Sequence, residues 1–372
     1  MKVLHFKTTY LNLSETFINR LVRNHVDFNP VIATAYKSKY CQGLNIYEMP
    51  STGLSAQLNR IYLMLNQSPP FLKQVIRNEK PDVIHGHFGL DSYRLLGAAS
   101  QMKVPLIVHF YGHDVIRLPK EFGWKARYKR LRKRANFFIT VSDDMKRNII
   151  EMGFPEARIE TVKLGLDMNM IQFKHRTSSK TNLMMIGRMV EKKGFKYAIE
   201  AVSLIKQSNV PVHLDIYGDG PLKNSLYKLC KKLDVVNEVT FNGNTENEQI
   251  LKELYQHDVL LAPSVQAADG DREGMPHAIV EGLASGIPMI GSTHAGIPEL
   301  ILHEKTGLLT QEKNSEAIAR AVIRLQNDSG LVSHISKKGR EKVEKEHCIN
   351  KITRQTEKIY HRVIKEYAND LD

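Results

Sequence analysis

The chain has 372 residues, of which 42% are hydrophobic and 25% charged, a balance that is typical of folded proteins and excludes a disordered chain. Its length suits two domains of ordinary size, and its formal net charge of +13 favours acidic partners such as nucleotide phosphates, anionic lipids or nucleic acids. The three cysteines, Cys41, Cys230 and Cys348, are widely spaced and form no Cys-x-x-Cys motif, which indicates a reducing cytosol and argues against a disulfide framework or a zinc site.

The first part of the chain alternates strand patterns with helical patterns. Its opening, MKVLHFKTTY, enters a strand directly without the apolar run of a signal peptide, and no later run is apolar for long enough to span a bilayer. Predicted strands are Lys2–Phe6, Pro30–Tyr36, Asp82–His87, Pro105–Phe110, Phe137–Val141 and Arg158–Lys163. Predicted helices are Glu15–Val26, Leu54–Leu65, Pro70–Asn78, Asp91–Gln101, Trp124–Arg134 and Asp143–Met152, with a loop at Thr8–Ser14. Residues 37–53 show little periodic signal and are predicted to be strand and loop without defined bounds. This alternation predicts a parallel, doubly wound sheet.

The polar stretch Met168–Thr181, which contains HRTSSKT, interrupts the alternation and is predicted to link two domains. The second alternation has strands at Asn182–Ile186, Val212–Tyr217, Val239–Phe241, Val259–Ala262 and Pro288–Gly291. Its helices are Phe195–Gln207, Leu222–Leu233, Glu246–Tyr255, Pro276–Ser285 and Glu316–Gln326, followed by a helical tail, Leu331–Ala368. Two Rossmann-like halves predict a cleft between them, with ligands at the carboxyl ends of the strands.

Two cations follow the first strand of the second half, in the segment IGRMVEKKGF. Arg188 and Lys193 stand there between a predicted strand and the next helix, at the edge of the predicted cleft. A leaving diphosphate needs positive charge beside it, and an arginine can hold two of its oxygens at once. The alternative is a surface ion pair with Glu191 or Glu200.

Two carboxylates lie eight residues apart in the stretch Ala268–Glu299. Glu273 precedes the helix predicted at Pro276–Ser285, and Glu281 lies inside it. The free N–H groups at the start of a helix bind anions, so acids beside them suggest a ligand that carries both phosphates and hydroxyls, such as a sugar nucleotide. The predicted backbone contacts to this ligand come from Gly274, Met275, Pro276 and His277. The alternative is a loop with exposed acids.

Two turns follow later strands of the second half. The first, Gly218-Asp219-Gly220-Pro221, is only a fragment of a dinucleotide-binding fingerprint, so we do not expect NAD. It serves either as a tight turn that needs backbone freedom or as a ligand contact. The second, Gly243-Asn244, is a candidate for backbone contact with a nucleotide base.

The pattern EG-x-P…EGLASG-x-P…AGIPE, from Glu273 to Glu299, resembles the donor-binding motif of the retaining, GT-B-fold glycosyltransferases of family four. The DGDREG that precedes the proline is most similar to enzymes that build exopolysaccharide, capsule or related surface glycans. The likeness covers nearly the whole chain. The SETFI that follows the first strand also resembles the family, and G-R-x4-K-G resembles its diphosphate-binding pair.

This resemblance implies a GT-B fold, with two Rossmann-like doubly wound domains facing across a cleft. The acceptor-side domain would comprise residues 1–170 with about 353–372, because the last helix of such enzymes usually crosses back, and residues 178–352 would bind the nucleotide sugar. The implied reaction moves a sugar from a UDP- or GDP-sugar to a hydroxyl of a glycan or lipid-linked acceptor, with retention and without a metal or other cofactor.

The resemblance also implies roles for individual residues. Arg188 and Lys193 would stabilise the diphosphate, Glu273 would hold hydroxyls of the donor sugar, and Glu281 would bind the ribose. No residue stands out as a nucleophile, which agrees with front-face transfer in which a phosphate oxygen takes the acceptor proton.

Histidines cluster at the ends of two strands in the first half. In VHFYGHD, alternation places His109 and Tyr111 on one face, with His113 beside them if the strand continues. The family usually has His-Gly-x-Asp here, with that histidine near the donor sugar, whereas this chain has Tyr111 in its position. A hydrogen-bonded wall of the cleft is the alternative role. His85 and His87 form a further pair, but no carboxylate or cysteine spacing completes a metal site, so we predict none.

The helix WKARYKRLRKRA, Trp124–Ala135, is basic and amphipathic. Its apolar face carries Trp124, Tyr128, Leu131 and Ala135, while seven lysines and arginines cover the rest. Such a helix suits an anionic membrane surface or a lipid-pyrophosphate acceptor, which predicts a cytoplasmic protein peripheral to the inner face of the cell membrane. The alternative is a packed helix with a solvated basic back.

Two other functions remain open at this point. A sugar-nucleotide epimerase of the same fold would hydrolyse or epimerise its donor without an acceptor. A non-catalytic basic module would bind nucleic acid or membrane through one continuous positive surface and show salt-dependent affinity for polynucleotides. The placement of the charges at strand ends favours the glycosyltransferase, for which we expect no nucleic-acid partner.

Overall fold

Two parallel β-sheets with packed helices form two separate units of this chain. The computed structural model describes residues 1–10, 15–38, 43–176 and 181–370. One unit comprises Met1–Gly165 with Ile349–Asp372, and the other comprises Leu166–Cys348. Cys41, the last residues of the predicted Thr8–Ser14 loop and part of the predicted linker lie outside the described residues.

The first unit contains a parallel sheet in the order β3-β2-β1-β4-β5-β6-β7. Its described strands are β1 Lys2–Tyr10, β2 Asn29–Lys37, β3 Ile46–Glu48, β4 Val83–His87, β5 Leu106–Phe110, β6 Phe137–Thr140 and β7 Ile159–Thr161. The central strands are apolar over most of their length because helices cover both faces of such a sheet. β1 continues past the predicted end at Phe6 and pairs with β2 as far as Tyr10.

Helices connect the strands of this unit in the order that the sequence predicts. They are α1 Thr16–Arg23, α2 Gly53–Met64, α3 Pro70–Glu79, α4 Gly89–Met102, α5 His113–Ile116, α6 Trp124–Arg134 and α7 Asp143–Glu151. α5, a single turn, is the helix that the sequence did not predict. Ser142 caps α7 by accepting the N–H of Met145 at 3.2 Å.

The second unit contains a parallel sheet in the order β10-β9-β8-β11-β12-β13. Its described strands are β8 Asn182–Ile186, β9 His213–Tyr217, β10 Val239–Gly243, β11 Val259–Ala262, β12 Met289–Ser292 and β13 Leu308–Thr310. The helices are α8 Phe195–Gln207, α9 Lys223–Lys232, α10 Asn247–Glu253, α11 His277–Ser285, α12 Ile297–Leu300, α13 Ser315–Asn327 and α14 Ser329–Glu346. The sequence missed β13, because a strand of three residues carries no periodic signal.

The described part of the predicted linker packs onto the second unit. Arg176 is buried, and its guanidinium donates to the carbonyls of His257 and Leu254 at 3.0 and 2.8 Å. The Lys174 N–H donates to the carbonyl of Ser285 at 3.0 Å. The second unit begins at Leu166, so the described part of this stretch belongs to that unit. The prediction that it is a linker outside both domains is therefore wrong for these residues.

The helical tail divides into two helices. α14 ends at Glu346, and α15 spans Ile349–Asn369 in the first unit. At the break, the Leu166 N–H donates to the carbonyl of His347 at 2.7 Å, so the beginning and the end of the second unit lie side by side. The return to the first unit therefore starts at Ile349, a turn earlier than predicted. Within the described ranges, no helix is both long enough and apolar enough to cross a membrane.

Candidate active site

The strand order of the second sheet reverses between β8 and β11. β9 follows β8 on one side, while β11 pairs with β8 on the other, so the loops that leave the carboxyl ends of β8 and β11 diverge at this point. Doubly wound sheets bind their ligands at such a switch point. The loop after β8 carries Arg188 and Lys193, and the loop after β11 carries Glu273.

Arg188 is an exposed cation at this switch point. Its side chain makes no ion pair or hydrogen bond with any residue in the described ranges. Both acids of the alternative interpretation have other partners, since Glu191 accepts the Ala268 N–H at 3.1 Å and Glu200 lies 3.7 Å from Lys196. The Arg188 guanidinium is therefore available to an anion.

Lys193 and Glu273 form an ion pair that joins the loop after β8 to the loop after β11, with Nζ 3.0 Å from Oε1. Glu273 is buried, and among the described residues the Lys193 ammonium is the partner of its Oε1. Burial would raise the pKa of the Glu273 carboxyl, but the charges of Lys193 and Lys192 outweigh it and lower that pKa. A buried, ionised carboxylate has more lone pairs than this one contact uses, so it is suited to accept a ligand hydroxyl as well.

Two residues that the sequence interpretation missed hold the Glu273 loop in place. The Glu273 N–H donates to Nε2 of His294 at 3.3 Å, and Nδ1 of His294 lies 2.8 Å from Oε1 of Glu312. His294 follows β12 and Glu312 follows β13, at the same edge of the sheet as the cations. Polar residues directly after strands were the signal that could have identified both.

Helix α11 starts at His277, with Pro276 at its N-cap, and ends before Gly286, whose φ of +85° is typical of a helix C-terminus. Its predicted start was Pro276. Glu281 is buried within the helix, with Oε1 3.2 Å from Nδ1 of His277 and 3.3 Å from Nδ2 of Asn247. The carboxylate of Glu281 is thus fixed toward α10, on the β9–β10 side of the switch point.

The remaining predicted backbone contacts border the same region. Gly274 is partly exposed and Met275 is buried, in the loop between Glu273 and α11. Gly243 ends β10 with a φ of +74°, and the exposed Asn244 follows it. A small cavity adjoins α11, and Lys193, Ser264, Pro276, Ala278 and Ile279 contribute to its lining.

The turn with Gly218 and Gly220 packs against the loop that carries Arg188. A Cβ atom on Gly218 would lie 2.1 Å from the carbonyl oxygen of Gly187, and one on Gly220 would lie 2.7 Å from backbone atoms of Met189. Close approach of two backbones therefore explains both glycines, which favours the tight-turn interpretation over ligand contact.

The first unit places Tyr111 and His113 differently from each other. The rings of Tyr111 and His109 stack with centroids 4.2 Å apart, so these two residues share a face as predicted. β5 ends at Phe110, however, and the exposed His113 begins α5. Because the strand does not continue, His113 does not join that face.

Asp114, the acid of the family's His-Gly-x-Asp pattern, is a structural residue in this chain. It is buried, and its carboxylate accepts the N–H groups of Gly89, Tyr111 and Gly112 at 3.0, 3.2 and 2.8 Å. Burial raises the pKa of Asp114, although these three bonds oppose the rise. The carboxyl thus joins the loop after β4 to the loop after β5.

The pair His85 and His87 has a third member that the sequence interpretation missed, because His5 lies on β1. One nitrogen of each ring lies within 4.8 Å of the others, a spacing that could hold a metal ion. All three residues are buried. That the reaction needs no metal remains a prediction.

Helix α6 has its apolar face inside the first unit. Trp124, Tyr128, Leu131 and Ala135 are buried, whereas Arg130 and Lys133 on the opposite side are exposed. The helix is therefore packed, with a solvated basic back, and its apolar face is not available to a membrane.

The sequence missed an exposed apolar stripe on α2. Leu54, Leu58, Ile61 and Leu65 recur at helical spacing, and their exposed fractions range from 47% to 85%. The adjacent Tyr62 lines a pocket with Lys73 of α3 and with Arg130 and Arg134 of α6. Apolar and basic side chains thus adjoin on one side of this unit.

Family models match both halves of the chain. Residues 167–342 match the model of glycosyl transferases group 1, and residues 16–169 match the model of glycosyltransferase family 4. The amylovoran biosynthesis glycosyltransferase AmsK of Erwinia amylovora is 31% identical over 297 residues, 78% of this chain and 73% of the relative. The putative colanic acid biosynthesis glycosyltransferase WcaL of Escherichia coli (strain K12) is 31% identical over 279 residues, 73% and 68% of the two chains.

Solved structures share the fold. Anabaena Alr3699/HepE in complex with UDP matches 96% of this chain and 99% of its own, with a TM-score of 0.78 and 17% identity. The same protein in complex with UDP-glucose matches 100% of both chains, with a TM-score of 0.74 and 17% identity. Sucrose-phosphate synthase from Thermosynechococcus elongatus matches 98% of this chain and 100% of its own, with a TM-score of 0.79 and 15% identity.

The fold and the family matches agree with each other. Two parallel Rossmann-like sheets with these structural neighbours confirm the predicted GT-B fold class. Because the relatives are named glycosyltransferases, the alternative interpretation of this chain as a non-catalytic basic module is wrong. This chain is a glycosyltransferase and belongs to the glycosyl transferases of group 1, family 4.

Proposed function

We propose that this enzyme transfers a sugar from a nucleotide-diphosphate sugar to a hydroxyl of a glycan or lipid-linked acceptor, with retention of configuration, in the assembly of a surface polysaccharide. The observation that carries the proposal is the arrangement at the switch point, where the loop after β8 carries the unpaired Arg188 as well as Lys193, which pairs with Glu273 from the loop after β11. The names of AmsK and WcaL support the polysaccharide context, and the UDP-glucose complex of a structural neighbour supports a nucleotide-sugar donor.

The donor's leaving group is the centre of the proposed mechanism. The bond between the anomeric carbon and the diphosphate oxygen breaks, and a bond from that carbon to the acceptor oxygen forms on the same face. The acceptor proton passes to an oxygen of the departing diphosphate, so neither a protein nucleophile nor a metal is required. Arg188 and Lys193 stabilise the charge that develops on the diphosphate.

The other site residues hold the donor. The carboxylate of Glu273 accepts a hydroxyl of the donor sugar in addition to its contact with Lys193. Glu281 binds the ribose, and the loop at Gly274–Met275 with the start of α11 contacts the phosphates. Gly243 and Asn244 contact the base. In the first unit, His113 and Tyr111 bind hydroxyls of a sugar, whether of the donor or of the acceptor.

The enzyme also binds the anionic inner face of the cell membrane through its first unit. The apolar stripe of α2 enters the headgroup region, while Arg130, Lys133 and Arg134 of α6 contact lipid phosphates. Neither element suffices alone, because α6 offers only charge and α2 offers only a short apolar face.

Arg188 provides the decisive test. A panel of UDP, GDP and ADP sugars is first screened for thermal stabilisation, and donor epimerisation without an acceptor would identify an epimerase instead. Arg188→Ala should then raise the barrier by about 2.7–4 kcal/mol, seen as a lower kcat at saturating donor with a smaller change in donor affinity.

Two further variants sharpen this test. Arg188→Lys should restore only part of the rate, because lysine lacks the two-pronged grip. The matched control is Arg320→Ala, an exposed arginine on α13 that should leave kcat unchanged. Full turnover in Arg188→Ala would refute the mechanism.

A further inference from the structure

A chain of hydrogen bonds runs through the first unit from Glu357 to Tyr111. Tyr111 Oη lies 2.8 Å from Nδ1 of His87, and Nε2 of His87 lies 3.0 Å from Nδ1 of His5. Nε2 of His5 lies 3.1 Å from Nε2 of His25, whose Nδ1 lies 3.3 Å from Oε1 of Glu357. We name this series, Tyr111–His87–His5–His25–Glu357, the histidine relay.

The Glu357 end gives the relay a direction. Oε1 of Glu357 accepts the N–H groups of Val26 and Asp27 at 2.7 and 3.0 Å, so this oxygen is an acceptor and His25 must donate its Nδ1–H to it. A neutral imidazole has one donor and one acceptor nitrogen. Nε2 of His25 therefore accepts the Nε2–H of His5. In the same direction, Nδ1 of His5 accepts the Nε2–H of His87, and Nδ1 of His87 accepts the hydroxyl hydrogen of Tyr111.

The histidines of the relay are neutral, as this direction requires. Burial lowers the pKa of His5 and of His87 well below the usual range, and neighbouring histidines lower both further. Burial also lowers the pKa of His25 to about 4, although Glu357 opposes the shift. Three neutral rings in series, with one acceptor fixed at the end, have a single consistent set of tautomers. His87 and His5 carry their proton on Nε2, and His25 carries its proton on Nδ1.

In the group of His5, His85 and His87, whose spacing could hold a metal ion, every ring nitrogen already has a hydrogen-bond partner. Both nitrogens of His5 and both of His87 belong to the relay. Nδ1 of His85 lies 2.5 Å from Oη of Tyr360, and its Nε2 lies 3.2 Å from Nδ1 of His109. A metal ion would have to displace such bonds, so the observations favour the relay over a metal site.

We propose that the histidine relay fixes the Tyr111 hydroxyl as a donor to His87, so that only its oxygen lone pairs face outward and accept a hydroxyl of a bound sugar. This proposal rests on the proposed function. Tyr111 is the partly exposed end of the relay and is the residue that would contact the sugar, whereas the other four residues act through it and are positioning residues. Burial raises the pKa of Tyr111 well above its usual range, so the phenol keeps the proton that it donates inward.

The direction of the relay can be measured without any substrate. Long-range 1H–15N spectra of the full chain, labelled at histidine, report the protonated nitrogen of each ring at neutral pH. We expect an Nε2–H tautomer for His87 and His5 and an Nδ1–H tautomer for His25, with the His87 tautomer unchanged in His85→Phe. A His87 proton on Nδ1, averaged tautomers, or one equivalent of a metal ion retained after dialysis against a chelator would overturn the proposal.

Affinities test whether the relay acts through Tyr111. The probes are UDP-glucose and GDP-mannose, with UDP and GDP as matched ligands that lack the sugar, and octyl glycosides as acceptor probes. Tyr111→Phe and His87→Phe should each weaken binding of a sugar-bearing probe about threefold to tenfold, the effect of one lost hydrogen bond, and should leave UDP and GDP unaffected. Loss confined to the nucleotide sugars assigns the hydroxyl to the donor, and loss confined to the octyl glycosides assigns it to the acceptor.

The double variant and a control complete the test. His87→Phe should cause no further loss in the Tyr111→Phe background, whereas a loss of equal size in both backgrounds would show that His87 is merely structural. His85→Phe alters the same buried cluster outside the relay and should retain the affinities of the wild-type protein. If no probe and no nucleotide binds the wild-type protein, the proposed function fails, while the tautomers still decide the relay.

Discussion

Glu273 carries a negative charge at a buried position, and two lysines from the loop after β8 determine how that charge is held. Burial acts against the ionised form, but the charges of Lys193 and Lys192, with a hydrogen bond from Lys193 and the nearby His294, lower the pKa of Glu273. Lys193 therefore has two roles in the proposed site. It contributes positive charge for the diphosphate, and it keeps Glu273 ionised so that this carboxylate can accept a sugar hydroxyl.

Replacement of Lys193 by methionine should shift the pH dependence of stability. A carboxyl whose folded-state pKa is depressed stabilises the fold above its unfolded pKa, and this contribution is lost as the pH falls through the folded value. Without Lys193, burial becomes dominant and raises the pKa of Glu273 above its unfolded value, so the ionised carboxyl destabilises the variant at neutral pH. The variant should therefore regain stability as the pH falls through this raised pKa, a gain that the wild-type protein should not show. Urea unfolding measured between roughly pH 7 and pH 4 checks this shift.

The companion variant for this experiment is Glu273→Gln. The amide has no charge to lose, so adding Lys193→Met to it should change stability equally at every pH. If the pH shift persists in the double variant, another carboxyl is responsible.

Glu281 should affect donor binding more than turnover, because it lies inside α11, where its carboxylate contacts His277 and Asn247, and its proposed partner is the ribose. Glu281→Ala should weaken the binding of the nucleoside diphosphate by about 1.5–3 kcal/mol, the worth of hydrogen bonds to a charged group. Calorimetry with the diphosphate measures this loss. Glu248→Ala removes an exposed glutamate on the nearby α10 and should leave the affinity unchanged, and an equal loss in both variants would exclude a specific contact by Glu281.

At the scale of elements, α6 shows how one helix can be basic and amphipathic and still be an ordinary packed helix. Its tryptophan, tyrosine and leucine bury in the first unit, so a membrane would meet only the charged back. The apolar contribution has to come from another element, and α2 carries the exposed stripe that could supply it. The two helices therefore make separable contributions to membrane binding.

We expect Arg130→Glu with Lys133→Glu to release the protein from anionic vesicles, and to do so without loss of turnover on a soluble acceptor. Leu54→Asn with Leu58→Asn should weaken vesicle binding by removing apolar burial, and its residual binding should remain sensitive to salt. Co-sedimentation with phosphatidylglycerol vesicles over a range of salt concentrations measures both. Lys228→Glu with Lys231→Glu, a charge reversal on α9 of the second unit, is the matched control. Binding that is indifferent to both α2 and α6 variants would rule out this surface.

The elements that the sequence predicted are those with enough length to show a period. Helices such as α8 and strands such as β8 match the expectation to the residue, because buried positions recur at regular spacing in them. β3 and β13 have three residues each, and the break between α14 and α15 spans two, so no periodic signal could reveal them. The break is fixed by a contact with Leu166, which lies far away in the sequence.

The same distinction applies to the candidate site. Arg188, Lys193 and Glu273 could be predicted because each follows a recognisable strand and belongs to a local motif. His294 could not be assigned to Glu273, 21 positions away, because only the folded sheet brings the loops after β11 and β12 together. The histidine relay is even harder to predict from the sequence, because His25 and Glu357 are 332 positions apart and meet only because α15 belongs to the first unit.

At the scale of the whole molecule, α15 makes the first unit depend on the last residues of the chain. Ile352, Ile359, Tyr360 and Val363 are buried in one apolar cluster with residues from four strands of the first sheet, including Val3 and Ile107. Each buried side chain stabilises a fold by about 1.5–3 kcal/mol, so these four together contribute roughly 6–12 kcal/mol. The net stability of a typical domain is about 5–15 kcal/mol, so the first unit should not persist without α15.

A chain that ends at Cys348 should therefore lose the first unit and keep the second. The one tryptophan, Trp124, is buried in the first unit and reports on it directly. Its emission should shift to the red in the truncated chain, because the indole becomes exposed to water. Binding of the nucleoside diphosphate should remain, because Arg188, Lys193, Glu273 and Glu281 all belong to the second unit.

A chain that ends at Lys365 keeps the four buried side chains and should retain the emission of the wild-type protein. Native emission in the chain that ends at Cys348 would show that the first unit folds without α15, and a loss of diphosphate binding there would show that the stability of the second unit also depends on this helix.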